Sequence, residues 1–176
     1  NYLYNVGYQV LAMIVPLITS AYVSRVLRPE GVGANAFTNS IIQYFILFAS
    51  MGIGYYGNRQ IAYVRDDRAK MAKTFWEIQI IKTIMTLVSI IVFEIFLIFY
   101  TRQFNYMLAQ SINLIAVAFD ISWFYEGIEN FKVIVLKNSL VKIVSMIAIF
   151  LFIKGPYDVT LYIVVLALST LLGNLT

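Results

Sequence analysis

Residues 76–100 read WEIQIIKTIMTLVSIIVFEIFLIFY, and only Glu77, Lys82 and Glu94 interrupt the stretch with charge. A helix needs about 20 mostly apolar residues to cross the hydrocarbon core of a bilayer. This stretch exceeds that length, and it is too long for the core helix of a small soluble domain. Working outward, comparable apolar runs occupy 5–24 and 36–57 before it, and 105–125, 133–153 and 159–175 after it. The pattern predicts an all-α, polytopic membrane helix bundle of about six transmembrane helices filling residues 1–176.

Composition agrees. Hydrophobic residues make up 61% and charged residues 12%, against about 25% charged in soluble domains, so too few charges exist to clothe a water-facing surface. The net charge of +4 does not imply nucleic acid, because the basic residues are interleaved between spans rather than gathered into a stripe with stacking aromatics. Without Cys or His the chain offers no disulfide, thiolate, imidazole base or ordinary zinc site. No metal and no cofactor are expected, nor an enzyme activity. The chain starts at Asn1 and stops at Thr176 directly after an apolar run, so both ends look cut and a fragment of a longer membrane protein is expected.

Loop charge sets an orientation. If spans alternate sides, one face carries Arg25, Arg28, Arg102 and Lys154. The other carries Arg59, Arg65, Arg68, Lys70, Lys73, Lys82, Lys132, Lys137 and Lys142. The positive-inside rule puts the second face, and both chain ends, in the cytoplasm. Tyr2, Tyr4, Tyr55, Tyr56, Trp76, Tyr100, Tyr106, Trp123 and Tyr125 fall near span ends, as interfacial anchors do. Pro16 lies inside the first span and removes a backbone donor, which fits either a kink lining a cavity or an ordinary membrane proline.

Polar residues recur at helical spacing within the spans. They are Asn5, Gln9, Pro16, Ser20 and Ser24 in the first, Asn39, Gln43, Ser50 and Gly54 in the second, Gln79, Thr83, Thr86 and Glu94 in the third, and Gln110, Asn113 and Asp120 in the fourth. Such stripes face protein rather than lipid, and interhelical hydrogen bonding accounts for the neutral members. Asn39, Gln43, Gln110 and Asn113 are the candidate polar face of a cavity. An ionised group at mid-helix costs about 2.5 to 3.5 kcal/mol on the insertion scale, so Glu94 and Asp120 should face a partner or water, as coupling or structural acids. Lys137 and Lys142 are spaced to reach inward toward Asp120, and with Arg59 and Lys82 they would form a basic vestibule for a phosphate-bearing headgroup. The alternative for each cation is snorkelling to the interface.

Two motifs mislead. Gly52, Gly54 and Gly57 in MGIGYYG match a dinucleotide fingerprint, but no strand precedes them, and close helix packing or a helix end explains them better. Asp66 and Asp67 sit among Arg65, Arg68 and Lys70 and read as a solvated loop.

The runs NYLYNVGYQVLAMIVPLITSAYVSRVLRPEGVG, TNSIIQYFILFASMGIGYYGNRQIAYVRDD, TFWEIQIIKT, AFDISWFYEGIENFK and LSTLLGNLT carry a resemblance to bacterial O-antigen and polysaccharide flippases. These belong to the superfamily of multidrug, oligosaccharidyl-lipid and polysaccharide exporters. The resemblance implies one amino-terminal lobe of an exporter fold in the bacterial inner membrane, with a carboxy-terminal lobe absent. It further implies alternating access and a lipid-linked oligosaccharide as cargo, typically undecaprenyl-diphosphate-linked repeat units, moved to the outer leaflet for surface polysaccharide biosynthesis. Membrane lipids and polysaccharide polymerase machinery are the implied partners. By matching motif, Arg25, Arg59 and Asp120 carry over as cavity candidates. One departure is Arg28, where the pattern has Gly after SRVL. A drug antiporter of the same superfamily would need a carboxylate-lined site, and a non-transporting scaffold would have no use for buried charges.

Overall fold

The computed structural model describes the backbone of residues 2–100 and 102–175 and the side chains of residues 13–100 and 102–175. Among these residues every regular element is helical: α1 (Tyr2–Val26), α2 (Arg28–Ser50), α3 (Ile53–Val64), α4 (Arg68–Phe99), α5 (Phe104–Phe119), α6 (Ser122–Gly127), α7 (Phe131–Phe152) and α8 (Val159–Leu175). Four segments are long and apolar enough to cross a membrane: Arg28–Val64, Arg68–Phe99, Phe104–Gly127 and Phe131–Phe152; Met13–Val26 and Val159–Leu175 are shorter apolar helices.

Two of the four long segments are broken. The expected span 36–57 crosses the junction of α2 and α3, where Met51 and Gly52 both take left-handed backbone angles. Gly52 does so at φ +72° without the steric cost a side chain brings. The expected span 105–125 crosses the junction of α5 and α6 at Asp120, whose backbone is extended. Pro16, by contrast, leaves α1 continuous. Position 28, where the resemblance leads one to expect Gly, has φ +60°. Arg28 thus occupies a backbone conformation that Gly adopts freely.

Helix α5 is central, packing against α2, α4 and α8, while α7 packs on α8 and α1 lies at the edge against α7 and α2. Three apolar clusters tie the helices together. Val23, Leu27, Ile149, Ile153 and Ile163 join α1, α7 and α8. Ile42, Phe93, Leu97, Met107 and Leu114 join α2, α4 and α5. Ile53, Ile61, Ile78 and Trp123 join α3, α4 and α6. Trp123 is buried, unlike the interfacial anchor its place in the sequence suggested. Gly57 leaves room for its indole, and the ring of Phe75 stacks on it at 5.5 Å. Tyr55 and Trp76 remain exposed, as anchors would.

The outer surface is apolar. Along α4 alone, Ile80, Ile84, Leu87, Ile91, Ile95 and Ile98 are each more than half exposed or close to it, a face only lipid or another membrane helix can solvate. Pro16, Ser20 and Ser24 of α1 are also exposed, so the inward-facing stripe expected for that helix is uncovered here. Asn5 and Gln9 lie outside the described side chains.

Candidate functional site

The break at Asp120 creates the polar centre of the molecule. A helix C-terminus leaves carbonyl oxygens without intrahelical donors, and in a bilayer no water is present to satisfy them. Neighbouring helices supply the donors instead. From α4, Gln79 Nε2 donates to Ala118 O at 2.7 Å and Lys82 Nζ donates to Asp120 O. From α8, Asn174 Nδ2 donates to Ala116 O at 2.8 Å. The cation also sits at the negative end of the α5 dipole.

Helix α4 delivers Lys82 because Ile78, Lys82, Thr86, Ser89, Phe93 and Leu97 form one buried row at three- and four-residue spacing. Lys82 is 4% exposed, so it does not snorkel. Its ammonium stands 4.0 Å from Asp120 Oδ2. The Lys137 ammonium, from α7, stands 3.5 Å from Asp120 Oδ1 and donates to Ser122 Oγ at 3.0 Å and Asn174 Oδ1 at 3.2 Å. Oδ1 also accepts from Ser122, from N at 3.1 Å and from Oγ at 2.6 Å. One carboxylate therefore lies between two ammonium groups, with its rotamer fixed by the first residue of α6.

Asp120, Ser122 and Lys137 line an open cavity of about 580 Å³ between α2, α5, α7 and α8, within the usual range of small-ligand sites. Asn35, Asn39 and Gln43 line it from α2, and Gln110 and Asn113 from α5. Asn138 and Ser145 of α7 and Ser169, Thr170 and Asn174 of α8 line the other side. Several amides are already oriented: Gln110 Nε2 donates to Thr38 Oγ1 at 3.3 Å and Asn35 Oδ1 at 3.4 Å, and Asn113 Nδ2 donates to Gln110 Oε1 at 2.8 Å. Each carboxamide offers both donors and acceptors, the equipment to hold a hydroxyl-rich ligand, while Lys137 offers charge to an anion. Among the described residues no group of His, Cys, Asp or Glu is arranged to hold a metal ion.

Of the residues singled out in the sequence, the structure brings Asp120, Lys137, Asn39, Gln43, Gln110 and Asn113 to this cavity, and puts Lys82 directly behind it. It does not bring the others. Arg25 is exposed on α1. Arg59 is exposed on α3, its Nε donating to Tyr63 Oη at 3.2 Å and its guanidinium 5.6 Å from the Tyr63 ring centroid. Lys142 is half-buried on α7 outside the cavity wall, and Glu94 is exposed on α4. The sequence reading missed Asn35, Ser122, Asn138, Ser145, Ser169, Thr170 and Asn174. Asn138 with Ser145, and Thr170 with Asn174, follow the same helical spacing that exposed the stripes in the first four spans.

The family model described as polysaccharide biosynthesis protein matches residues 1–176. The chain belongs to the polysaccharide biosynthesis protein family. It is similar to two proteins with the name "Putative O-antigen transporter". One, from Escherichia coli (strain K12), is 24% identical over 168 residues, covering 92% of this chain and 40% of the relative. The other, from Shigella dysenteriae, is 23% identical over 149 residues, covering 83% of this chain and 37% of the relative. This family member thus spans about two-fifths of the length of the curated relatives it matches. No solved structure matches it.

Proposed function

We propose that this chain is the amino-terminal lobe of a flippase that moves a lipid-linked oligosaccharide from the cytoplasmic to the outer leaflet of the bacterial inner membrane. One observation carries the reading: an otherwise apolar membrane bundle holds an open cavity lined by carboxamides and hydroxyls together with Lys137. Interior polarity of this kind is expensive in a bilayer and marks a substrate path. The amides suit the sugar hydroxyls, and the lysine suits the anionic headgroup, of which an undecaprenyl diphosphate is the typical form.

Transport then follows from alternating access. The lobe rocks against a carboxy-terminal lobe about a site near the midplane, while the lipid tail stays in the bilayer and no covalent step is needed. The loop 65–67, with its neighbouring basic residues, faces the cytoplasm in this reading, as do both chain ends. Polymerase machinery would receive the flipped unit. A drug antiporter would need a carboxylate-dominated site, but here Asp120 is outnumbered by Lys82 and Lys137.

The test is complementation: the full-length gene is placed in a strain lacking its own flippase, and surface polysaccharide is measured. Return of polysaccharide is the expected result. Drug resistance without polysaccharide would favour the antiporter, and neither phenotype would favour a scaffold.

A further inference from the structure

Lys82 and Lys137 approach different oxygens of the same carboxylate, but only Lys137 and Asp120 line the cavity. Lys82 is shut behind them, within reach of Asp120 Oδ2 and donating to the Asp120 carbonyl. Two ammonium groups and one carboxylate leave a surplus of one positive charge. Without Lys82, Asp120 and Lys137 would neutralise each other, and an anion entering the cavity would have to compete with Asp120 for its partner. With Lys82 in place, the charge of Asp120 is met from the closed side, and the surplus emerges on the open side.

We infer that Lys82 is a positioning residue that sets the charge the cavity presents: by holding Asp120 from behind, it leaves Lys137 able to engage an anionic group of the cargo. The inference rests on the cavity reading above. A purely structural pin at the α5 break needs no charge, because Gln79 caps Ala118 O with a neutral amide from the preceding turn of α4. A lysine buried within a membrane helix is costly to insert, so its charge requires a reason beyond capping.

The test measures binding of inorganic diphosphate by calorimetry, with full-length protein in detergent, alongside melting midpoints. Lys82→Met removes the hidden charge and keeps the bulk of the stem. It should weaken diphosphate binding about tenfold or more, a tenfold change being about 1.4 kcal/mol. Lys82→Met combined with Asp120→Asn restores the surplus charge, and Asn retains an acceptor for the Ser122 N–H. Binding should return to within about threefold of wild type on the same scale, although the melting midpoint stays lowered. If Lys82→Met does not fold, Lys82→Gln, which keeps a donor for the Asp120 carbonyl, carries the same expectation.

Wild-type affinity in Lys82→Met, or a double variant that binds no better than the single one, overturns the inference while leaving the cavity reading standing. If wild-type protein binds no diphosphate, or Lys137→Met binds it unchanged, the cavity reading falls and takes this inference with it.

Discussion

Replacing Gly57 by Ala should destabilise the protein, although the same change at Gly54, three residues earlier in α3, should not. A Cβ at position 57 would lie 2.5 Å from Trp123 Cε3 and 2.9 Å from Cδ2. The indole has little room to retreat, because it is 3% exposed, with Phe75 stacked on one side and Phe124 against it edge-on. At position 54 an added Cβ meets nothing within 4 Å. Gly→Ala in an open helical site stabilises by about 0.5 to 1 kcal/mol, whereas overpacking a filled site costs about 1 to 3 kcal/mol. The two terms set Gly57→Ala about 1 kcal/mol below wild type and about 1 to 3 kcal/mol below Gly54→Ala. Melting midpoints of the purified protein in detergent would register each kcal/mol as about 2 to 4 °C. The emission of Trp123 should change in Gly57→Ala alone, because only that variant moves the ring. If Gly57→Ala melts at or above Gly54→Ala, the packing of α3 on α6 described here is wrong.

Three further outcomes follow from local geometry. Arg28→Gly should raise stability by about 0.5 to 1 kcal/mol, because relief of a left-handed side-chain clash of about 1 to 2 kcal/mol exceeds the added chain entropy; unchanged or lower melting would refute it. Gln79→Leu orphans the Ala118 carbonyl and should cost about 1 to 3 kcal/mol, whereas Thr83→Val, whose hydroxyl bonds only within its own helix, should stay within about 0.5 kcal/mol. Asp67 caps α4 by accepting from Ala69 N at 3.0 Å and Lys70 N at 3.1 Å. The Lys70 backbone N–H, and then its ammonium, hold the carboxyl below its ordinary 3.8. The depressed value means that the cap contributes fully above pH 3.8 and is lost as pH falls through the folded value, so Asp67→Asn should flatten the acid limb of a melting-point profile.

The bundle was legible in the sequence because membrane spans are long and their composition is unambiguous, and Asp120 was legible because a carboxylate there demands a partner. The partner on α4 was harder to read. Of the polar residues grouped by spacing, Thr86 lies in the buried row, but Gln79, Thr83 and Glu94 drew attention to a sector offset from it, since at about 100° per residue Glu94 falls about 60° from Gln79, on the exposed side. Lys82 keeps company with Ile78 and Phe93 instead, and only packing on α2, α3 and α5 identifies that row as the inward one. The helix break at Asp120 was hidden for a related reason, unlike the one at Gly52, whose glycines read as a helix end. Asp120 and Ile121 continue an apolar run without Pro or Gly, so nothing local announces the extended residue, and the donors that make it tolerable come from α4 and α8. Arg59 was assigned to the cavity by motif, yet α3 turns it outward because Gly57 and Ile61 take the inward positions against α6.

The pairing of Lys82 with Asp120 also bears on how the protein is made. Lys82 leaves the ribosome 38 residues ahead of the group that compensates it, so α4 reaches the bilayer carrying a charge that costs about 2.5 to 3.5 kcal/mol on the insertion scale. That debt is cancelled only when α5 arrives alongside, across a connection of a few residues. The apolar residues of α4, at about 0.3 to 0.6 kcal/mol each on the same scale, outweigh a single charge, so α4 enters lipid first and its lysine gains its counter-charge when α5 docks as the second arm of a hairpin.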